Sequence, residues 1–371
     1  MSKKKFSLIF ISIIALFVAY NFIVWNLYTK KILTTTDGLY SGDLVRMGYI
    51  SGLAKPKKTR VELPKKHLEA KDYYGQKIDM ITIGDSFSNG GGGGLNPFYQ
   101  DYIATNLDFK VLNLQNYQEK TRSYIETAYL LANSGFLKKA GVKYILIESI
   151  QRKVVQRFVQ NINPNLNETL PNLYKTYKFK KNKPIKNKNT DKKNKTIALP
   201  QTQFINNGNI KLVTYNILYN FSDHAFISTV YKAKLTKDLF SVGNKDLLFY
   251  KSDLSRIHMN NKKNIEVLNN NLNNLAVFLK KIGIDLIFMP ASNKFDLYYN
   301  YIANNKYPKD PFFDYLRPLK KEYIFLDTKK ILSPLLKKGV KEVYHVDDTH
   351  WSSIASSEVI GTLTNILENK K

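Results

Sequence analysis

Hydrophobic residues follow two different patterns along the chain. From Phe6 to Tyr28 the sequence is apolar and uncharged, with Asn21 as a polar interruption. After residue 76, short apolar runs of strand length alternate with longer segments whose apolar residues recur at helical spacing. The first pattern indicates a membrane span, and the second indicates a folded domain that contains both helices and strands.

The N-terminal apolar run predicts a transmembrane helix. About 20 residues cross the hydrocarbon core of a bilayer, and the run exceeds the roughly 7 to 15 apolar residues of a cleavable signal. Lysines at positions 3 to 5 place the N-terminus in the cytoplasm, although Lys30 and Lys31 weaken the charge asymmetry. We therefore expect an uncleaved signal anchor over residues 1–31, with the rest of the chain periplasmic or extracellular.

The alternating pattern predicts a parallel sheet covered by helices on both faces. Strands are expected over residues 78–84, 109–115, 142–150, 284–290 and 323–328. Helices are expected over residues 97–107, 123–141 and 265–283, and after residue 350. This order predicts one α/β domain.

Domain boundaries follow from the same pattern. We expect a linker over residues 32–76 and one domain over 77–371, with an insertion at about 160–255. Within the insertion, residues 180–195 are too charged and too poor in apolar side chains to pack. That segment is expected to be exposed and mobile.

Composition narrows the classes of partner. The chain has 57 Lys and Arg residues against 30 Asp and Glu residues, a net charge of +27. The lysines are scattered among asparagines, and no base-reading module is visible, so we expect no nucleic-acid partner but an anionic surface or polymer nearby. The absence of cysteine excludes disulfides, thiol catalysis and metal sites built on cysteine.

Ser86 is the first candidate for chemistry. It lies in the segment Gly84–Ser88, directly after a predicted strand, and loops at the carboxyl ends of parallel strands form the ligand crevice of such sheets. A serine there suits a nucleophile, but Asp85 and Ser86 also suit the cap of a following helix. A nucleophilic serine further needs a base and an acid that orients the base.

His350 is the best-placed base among the five histidines. Asp347 and Asp348 precede it, and a predicted helix follows. Either acid can bond the imidazole Nδ1 while Nε2 faces a serine on another loop, or it can cap the final helix while His350 stays a surface residue. No metal is expected, because only His345 and His350 have a spacing that suits ligands.

The segments Gly-Asp-Ser-Phe-Ser at 84–88 and Asp-Asp-Thr-His-Trp at 347–351, taken in this order, resemble the motifs of the SGNH-hydrolase superfamily. More narrowly, the chain is similar to the SGNH-like domain of alginate-type polysaccharide O-acetyltransferases and the related DHHW proteins. The segments 145–152 and 290–298 add to the likeness. The resemblance implies a flavodoxin-like three-layer fold with a parallel central sheet.

The resemblance also assigns roles to residues. It makes Ser86 the nucleophile, His350 the base and Asp348 the acid, with Asp347 as a rival because the wider superfamily uses Asp-x-x-His. The usual glycine and asparagine of the oxyanion hole are missing; the backbone N–H of Ser86 is expected to be one donor, and the other donors stay open. Side chains proposed to bind the oxyanion or the substrate are Asn89, Asn116, Arg152, Lys294 and Tyr298.

The function implied is acetyl transfer without a cofactor. An acyl-serine would pass acetyl to hydroxyls of a cell-surface or exported polysaccharide, outside the cytoplasm. The acetyl donor would be presented by a membrane-bound acyltransferase, since acetyl-CoA is cytoplasmic. Two alternatives remain: an esterase that deacetylates a glycan, and a non-catalytic subunit that binds a glycan for assembly.

Overall fold

The computed structural model describes residues 2–33, 41–55, 62–93, 96–115, 123–180 and 204–370. Its centre is a sheet of six parallel strands, which are β1 (Leu68–Glu69), β2 (Met80–Gly84), β3 (Val111–Gln115), β4 (Tyr144–Ile150), β7 (Asp285–Ala291) and β8 (Ile324–Phe325). Their order in the sheet is β1-β3-β2-β4-β7-β8. A separate antiparallel pair is formed by β5 (Val230–Lys234) and β6 (Asp246–Tyr250). The predicted α/β class with a parallel sheet is confirmed.

The central strands are apolar because both faces of the sheet are covered. Every residue of β2 is buried, and so are all residues of β4 and β7 except the first of each. In this sheet Ile81 pairs with Leu112 on one side and with Ile145 on the other. Strands buried on two faces read as continuous apolar runs, which is why their positions were predictable.

The described α-helices include the N-terminal apolar helix and the helices that cover the two faces of the sheet. They are α1 (Lys3–Val24), α2 (Lys30–Leu33), α3 (Asp43–Gly48), α4 (Tyr99–Leu107), α5 (Tyr124–Asn133), α6 (Phe136–Ala140), α7 (Gln151–Phe158), α8 (Leu170–Thr176), α9 (Asn207–Leu218), α10 (Lys251–Ser255), α11 (Lys262–Lys280), α12 (Lys294–Tyr298), α13 (Phe312–Leu316), α14 (Thr328–Lys337) and α15 (Ser353–Glu368). Helices α5, α7 and α11 contribute to one core. Helices α4, α14 and α15 contribute to the other.

The helix predicted over 123–141 is two helices. Ser123 and Glu126 form a capping box that begins α5. Gly135 has a φ of +76° between the two helices, a conformation that favours glycine and ends the first helix. The apolar spacing on both sides of this break hid it from the sequence pattern.

The segment predicted as a linker, residues 32–76, contributes to the folded domain. It holds α3 and the edge strand β1, and both Leu44 and Val45 of α3 are fully buried. The structured part therefore begins well before residue 77. The predicted mobile segment 180–195 lies, apart from Lys180, outside the described residues.

The N-terminal helix is long and apolar enough to cross a membrane. The helical stretch Lys3–Ile32 includes α1, a π-helical turn at Trp25–Thr29 and the start of α2. Its residues from 3 to 19 are exposed in the structure. This is compatible with a single-pass anchor, as the sequence predicts.

Candidate functional site

The turn after β2 presents Ser86 at the protein surface. Strand β2 ends at Gly84, Asp85 is buried, and Ser86 is exposed. The backbone folds back at once, since the carbonyl of Ser86 accepts hydrogen bonds from the N–H groups of Asn89 at 3.2 Å and Gly91 at 2.7 Å. Gly84 is required for close packing, because a Cβ there would lie 2.0 Å from the hydroxyl of Ser88.

Ser86, His350 and Asp348 form a chain of hydrogen bonds. The Oγ of Ser86 lies 2.7 Å from Nε2 of His350, and Nδ1 of His350 lies 2.6 Å from Oδ1 of Asp348. The same Asp348 oxygen accepts the backbone N–H of His350 at 3.1 Å. A serine, an imidazole and a carboxylate in this order and at these distances can activate the hydroxyl as a nucleophile.

Asp347 faces a different partner. One of its carboxylate oxygens accepts the N–H of Gly42 at 2.9 Å and the N–H of Lys55 at 3.2 Å. Its carbonyl accepts the N–H groups of Leu44 and Val45 at 3.1 and 3.2 Å. The structure thus places Asp348 on the imidazole and places Asp347 on the segment that follows the anchor.

Asp43 is a second carboxylate near the imidazole. Its two oxygens accept hydrogen bonds from the N–H and the hydroxyl of Thr349, at 2.7 and 2.6 Å. The backbone N–H of Asp43 donates to Asp348 at 3.2 Å. Burial and then the nearby charge of Asp348 raise the pKa of the Asp43 carboxyl, while His350 lowers it. No sequence pattern points to Asp43, which lies in a segment predicted to be a linker.

Opposing effects act on the imidazole itself. Burial lowers the pKa of His350, but the charge and hydrogen bond of Asp348, and the charges of Asp43 and Asp85, raise it above 6.5 overall. The ring also packs on Phe87, with 4.7 Å between ring centroids. The ring of Trp351 also packs on Phe87, nearly perpendicular to it and with 4.8 Å between ring centroids. These contacts hold the imidazole in one orientation.

Gly91 and Gly92 pack directly against the imidazole. A Cβ on Gly91 would lie 2.3 Å from Nε2 of His350 and 2.5 Å from the carbonyl oxygen of Ser86. A Cβ on Gly92, whose φ is +90°, would lie 3.0 Å from Cβ of His350. Gly91 and Gly92 belong to a run of five glycines at 90–94, the glycine run, which is therefore required for packing at these two positions.

A buried ion pair supports the turn from below. The Asp85 carboxylate accepts a 2.5 Å bond from Arg157 and bonds from the N–H groups of Ile150 and Phe87 at 2.9 and 3.2 Å. Burial would raise the pKa of Asp85, but the Arg157 guanidinium and the hydrogen bonds from Ile150 and Phe87 together outweigh burial, so the pKa is lowered overall. Asp85 therefore fixes the backbone on either side of Ser86.

Glu148 lies beside this pair, and its pKa is shifted in the opposite direction. Burial, and then the charge of Asp85, raise its pKa well above the ordinary value, which favours the protonated form. One oxygen accepts the N–H of Asp85 and the hydroxyl of Ser88, both at 3.0 Å. Ser88 also bonds the hydroxyl of Tyr99 at 2.8 Å, so Ser88 is a structural residue below the turn.

Lys294 and Tyr298, predicted to bind the oxyanion or the substrate, are buried. The Lys294 ammonium donates to three backbone carbonyls in the loop that carries His350. They are those of His345, Val346 and Asp348, at 2.7, 2.9 and 3.2 Å. Burial lowers its pKa to about 8. The Tyr298 hydroxyl accepts the N–H of Tyr344 at 3.3 Å. Both side chains therefore hold the loop that carries the imidazole, a role that the motif alone did not reveal.

The other predicted side chains are divided. Asn89 is exposed in the same turn as Ser86. Arg152 pairs with the buried Asp253 at 3.2 Å, and burial raises the pKa of that carboxyl to about 6. Asn116 lies outside the described residues. Among the described candidates for the oxyanion hole, Asn89 and the backbone N–H of Ser86 lie in the turn that follows β2.

Ligand atoms of Asp43, Asp348 and His350 lie within 4.8 Å of one another, as in a metal site. However, the oxygens of Asp43 accept from Thr349, and Nδ1 of His350 is bonded to Asp348. In the structure, hydrogen bonds within the protein thus engage atoms that could also bind a metal ion. A cavity of about 460 Å³ is lined by residues that include Tyr129, and another of about 630 Å³ by residues that include Tyr174. Ser86 lines neither of them.

Comparison with protein-family models and with curated proteins identifies no relative of this chain. No protein-family model matches the chain, and no curated protein matches it either.

Proposed function

We propose that this protein is an SGNH-type O-acyltransferase, anchored in a membrane with its catalytic domain in the periplasm or outside the cell. The observation that carries the proposal is the chain of two short hydrogen bonds that joins Ser86 to His350 and His350 to Asp348. A flavodoxin-like three-layer SGNH fold is compatible with the parallel sheet and its two helical layers.

In the first step, the Oγ of Ser86 attacks the carbonyl carbon of an acetyl donor. His350 takes the hydroxyl proton, and Asp348 stabilises the imidazolium that forms. The bond between the acetyl carbon and the leaving group then breaks, and the imidazolium returns the proton to that group. The product is acetyl-Ser86.

In the second step, a sugar hydroxyl attacks acetyl-Ser86. His350 removes the proton of the hydroxyl, the acetyl–Ser86 bond breaks, and the serine regains a proton from the imidazolium. The exposure of Ser86 supports a large acceptor, because a polymer needs an open approach to the nucleophile. We propose a cell-surface or exported polysaccharide as acceptor and a membrane-bound acyltransferase as the source of acetyl groups.

The test separates transfer from hydrolysis. Full-length protein in detergent is offered a chromogenic acetyl ester with and without oligosaccharides, and both acetate and acetylated sugar are measured by mass spectrometry. Transfer that exceeds hydrolysis supports the transferase, and acetate alone supports an esterase. Ser86→Ala should abolish turnover, whereas Ser357→Ala, an exposed serine on α15, should leave it unchanged; no turnover in the wild type would favour a glycan-binding subunit.

Topology is tested separately. Protease added to intact spheroplasts should digest the domain after residue 41 and leave the lysine-flanked N-terminus protected. Protection of the whole chain would contradict the proposed location.

A further inference from the structure

Asn21 interrupts the apolar run of the anchor, and the proposed chemistry does not use it. Its side chain is buried at 1% exposure. The amide donates to the carbonyl of Phe17 at 2.9 Å, and its oxygen accepts from the amide of Asn209 at 2.8 Å. The Tyr20 hydroxyl donates to the carbonyl of Asn209 at 3.1 Å. A polar residue inside a membrane span is costly unless it is paired, so this pair joins helix α9 to the anchor.

The height of this contact along the anchor places it within the bilayer. A helix rises about 1.5 Å per residue, so Asn21 lies roughly 24 Å above Lys5. The hydrocarbon core is about 30 Å thick. If Lys5 marks one boundary of the core, Asn21 lies below the other boundary. Phe204 contacts Phe22 at the same height, with 6.3 Å between ring centroids.

The segment attached at this height exposes apolar side chains. Outside the anchor, most exposed large apolar side chains of the described residues fall within 204–227. They are Phe204, Ile205, Ile210, Ile217, Phe221, Phe226 and Ile227, with exposures from 38 to 85%. We call these seven residues the apolar collar. Residues 204–227 contain only two charged side chains, Lys211 and Asp223.

The outward face of α9 explains the arrangement. Ile210, Thr214 and Ile217 are exposed at spacings of four and three residues, and Phe221 continues the stripe past the helix. Leu212 and Tyr215, on the opposite face, are buried against the cluster that contains Val24 of the anchor. The ammonium of Lys211 lies over the ring of Tyr49, 5.8 Å from its centroid. The helix therefore presents one apolar, uncharged face.

We propose that the apolar collar inserts into the lipid leaflet beside the anchor and fixes the catalytic domain against the membrane. This inference rests on the anchor crossing the bilayer. Continuity with the anchor identifies lipid as the occupant, because the collar begins at a ring contact with Phe22. An apolar surface at this depth gains free energy from burial in lipid, and charged residues there would lose it.

The inserted collar also connects the membrane to the catalytic loop. Leu212 and Tyr215 share their buried cluster with Leu44 and Val45 of α3. Asp43, which directly precedes Leu44, accepts both hydrogen bonds from Thr349. The site would thus be held at a fixed height above the lipid, where an acyl group can arrive from a membrane-embedded donor.

The absence of cysteine makes the test direct. Single variants Ile13→Cys, Ile210→Cys, Phe221→Cys and Ile282→Cys of the full-length protein carry an environment-sensitive fluorophore in phosphatidylcholine nanodiscs. Lipids with a spin label on the acyl chain near the headgroup quench probes in the leaflet. Ile282 is a matched control, since it is exposed at 50%, close to the 54% of Ile210, and lies outside the collar.

We expect several-fold quenching at positions 210 and 221 and little at 282, with position 13 quenched by a spin label deeper in the chain. Quenching at 13 alone would overturn the collar while keeping the anchor. Protection from aqueous iodide without quenching by lipid would show that a protein covers the surface, which also overturns the proposal. No quenching at 13 would contradict the anchor and, with it, this inference.

Discussion

Asp43 and His350 meet at the candidate site although they lie near opposite ends of the chain. Their oxygen and nitrogen atoms, with those of Asp348, lie within 4.8 Å of one another. Asp43 belongs to the segment that follows the anchor, and it holds Thr349, the residue before the imidazole. The electrostatics of the proposed base therefore depend on a part of the chain next to the membrane.

The first prediction concerns the pH dependence of activity. Burial lowers the pKa of His350, while Asp348, Asp43 and Asp85 raise it, so that overall the pKa of the imidazole lies above its ordinary value of 6.5. Activity should therefore rise as the pH increases through this raised pKa. Asp43→Asn removes one of the charges that raise it. The acidic limb of the kcat/KM profile should move to lower pH, and the plateau should fall by less than the roughly 10⁴-fold expected for loss of a triad acid.

A control separates charge from the loss of a contact. Thr349→Val removes one hydrogen bond to Asp43 but leaves its carboxylate, so its acidic limb should stay near that of the wild type. An unchanged limb in Asp43→Asn would contradict an electrostatic role for Asp43.

The two neighbouring aspartates should fail in different ways. Asp348→Asn weakens the partner of the imidazole and should lower kcat by about 10⁴-fold with little change in stability. Asp347→Asn weakens bonds to the N–H groups of Gly42 and Lys55, and should lower the free energy of unfolding by about 1–3 kcal/mol. Turnover of the chromogenic ester and thermal unfolding measure the two effects. The reverse order would assign the acid to Asp347.

Gly91 provides a steric test. A methyl group there would lie 2.3 Å from Nε2 of His350, so Gly91→Ala should displace the imidazole and lower kcat by about 100-fold, the cost of a misplacement of roughly 1 Å. Gly52→Ala is the control, since nothing lies within 4 Å of its Cβ position. Equal activity in the two variants would show that the glycine run is only a connecting loop.

The sequence predicts the sheet better than the contacts of the site. Strands such as β2 and β4 are buried on both faces, so they appear as continuous apolar runs and needed no tertiary information. Ser86 and His350 could be proposed because each follows or precedes a recognisable element. Their hydrogen bond joins residues 264 positions apart, and only the fold shows that distance.

Other features had no local signal. Asp43 lies in a short helix of six residues, too short for helical periodicity to stand out in a segment rich in polar residues. The family resemblance of residues 290–298 suggests Lys294 as an oxyanion or substrate contact, yet its ammonium is buried among backbone carbonyls. Such roles depend on which loop packs over the side chain.

The most direct test of the central claim is to trap the acyl group on Ser86. Full-length protein is incubated with an acetyl ester, quenched in acid and digested with trypsin, which releases residues 78–110 as one peptide because Lys77 and Lys110 flank it. Fragmentation by mass spectrometry then locates the added acetyl mass. We predict that it lies on Ser86, that Ser86→Ala abolishes it, and that His350→Ala strongly reduces it. An acetyl group on Ser88, or equal labelling without His350, would contradict the proposed nucleophile.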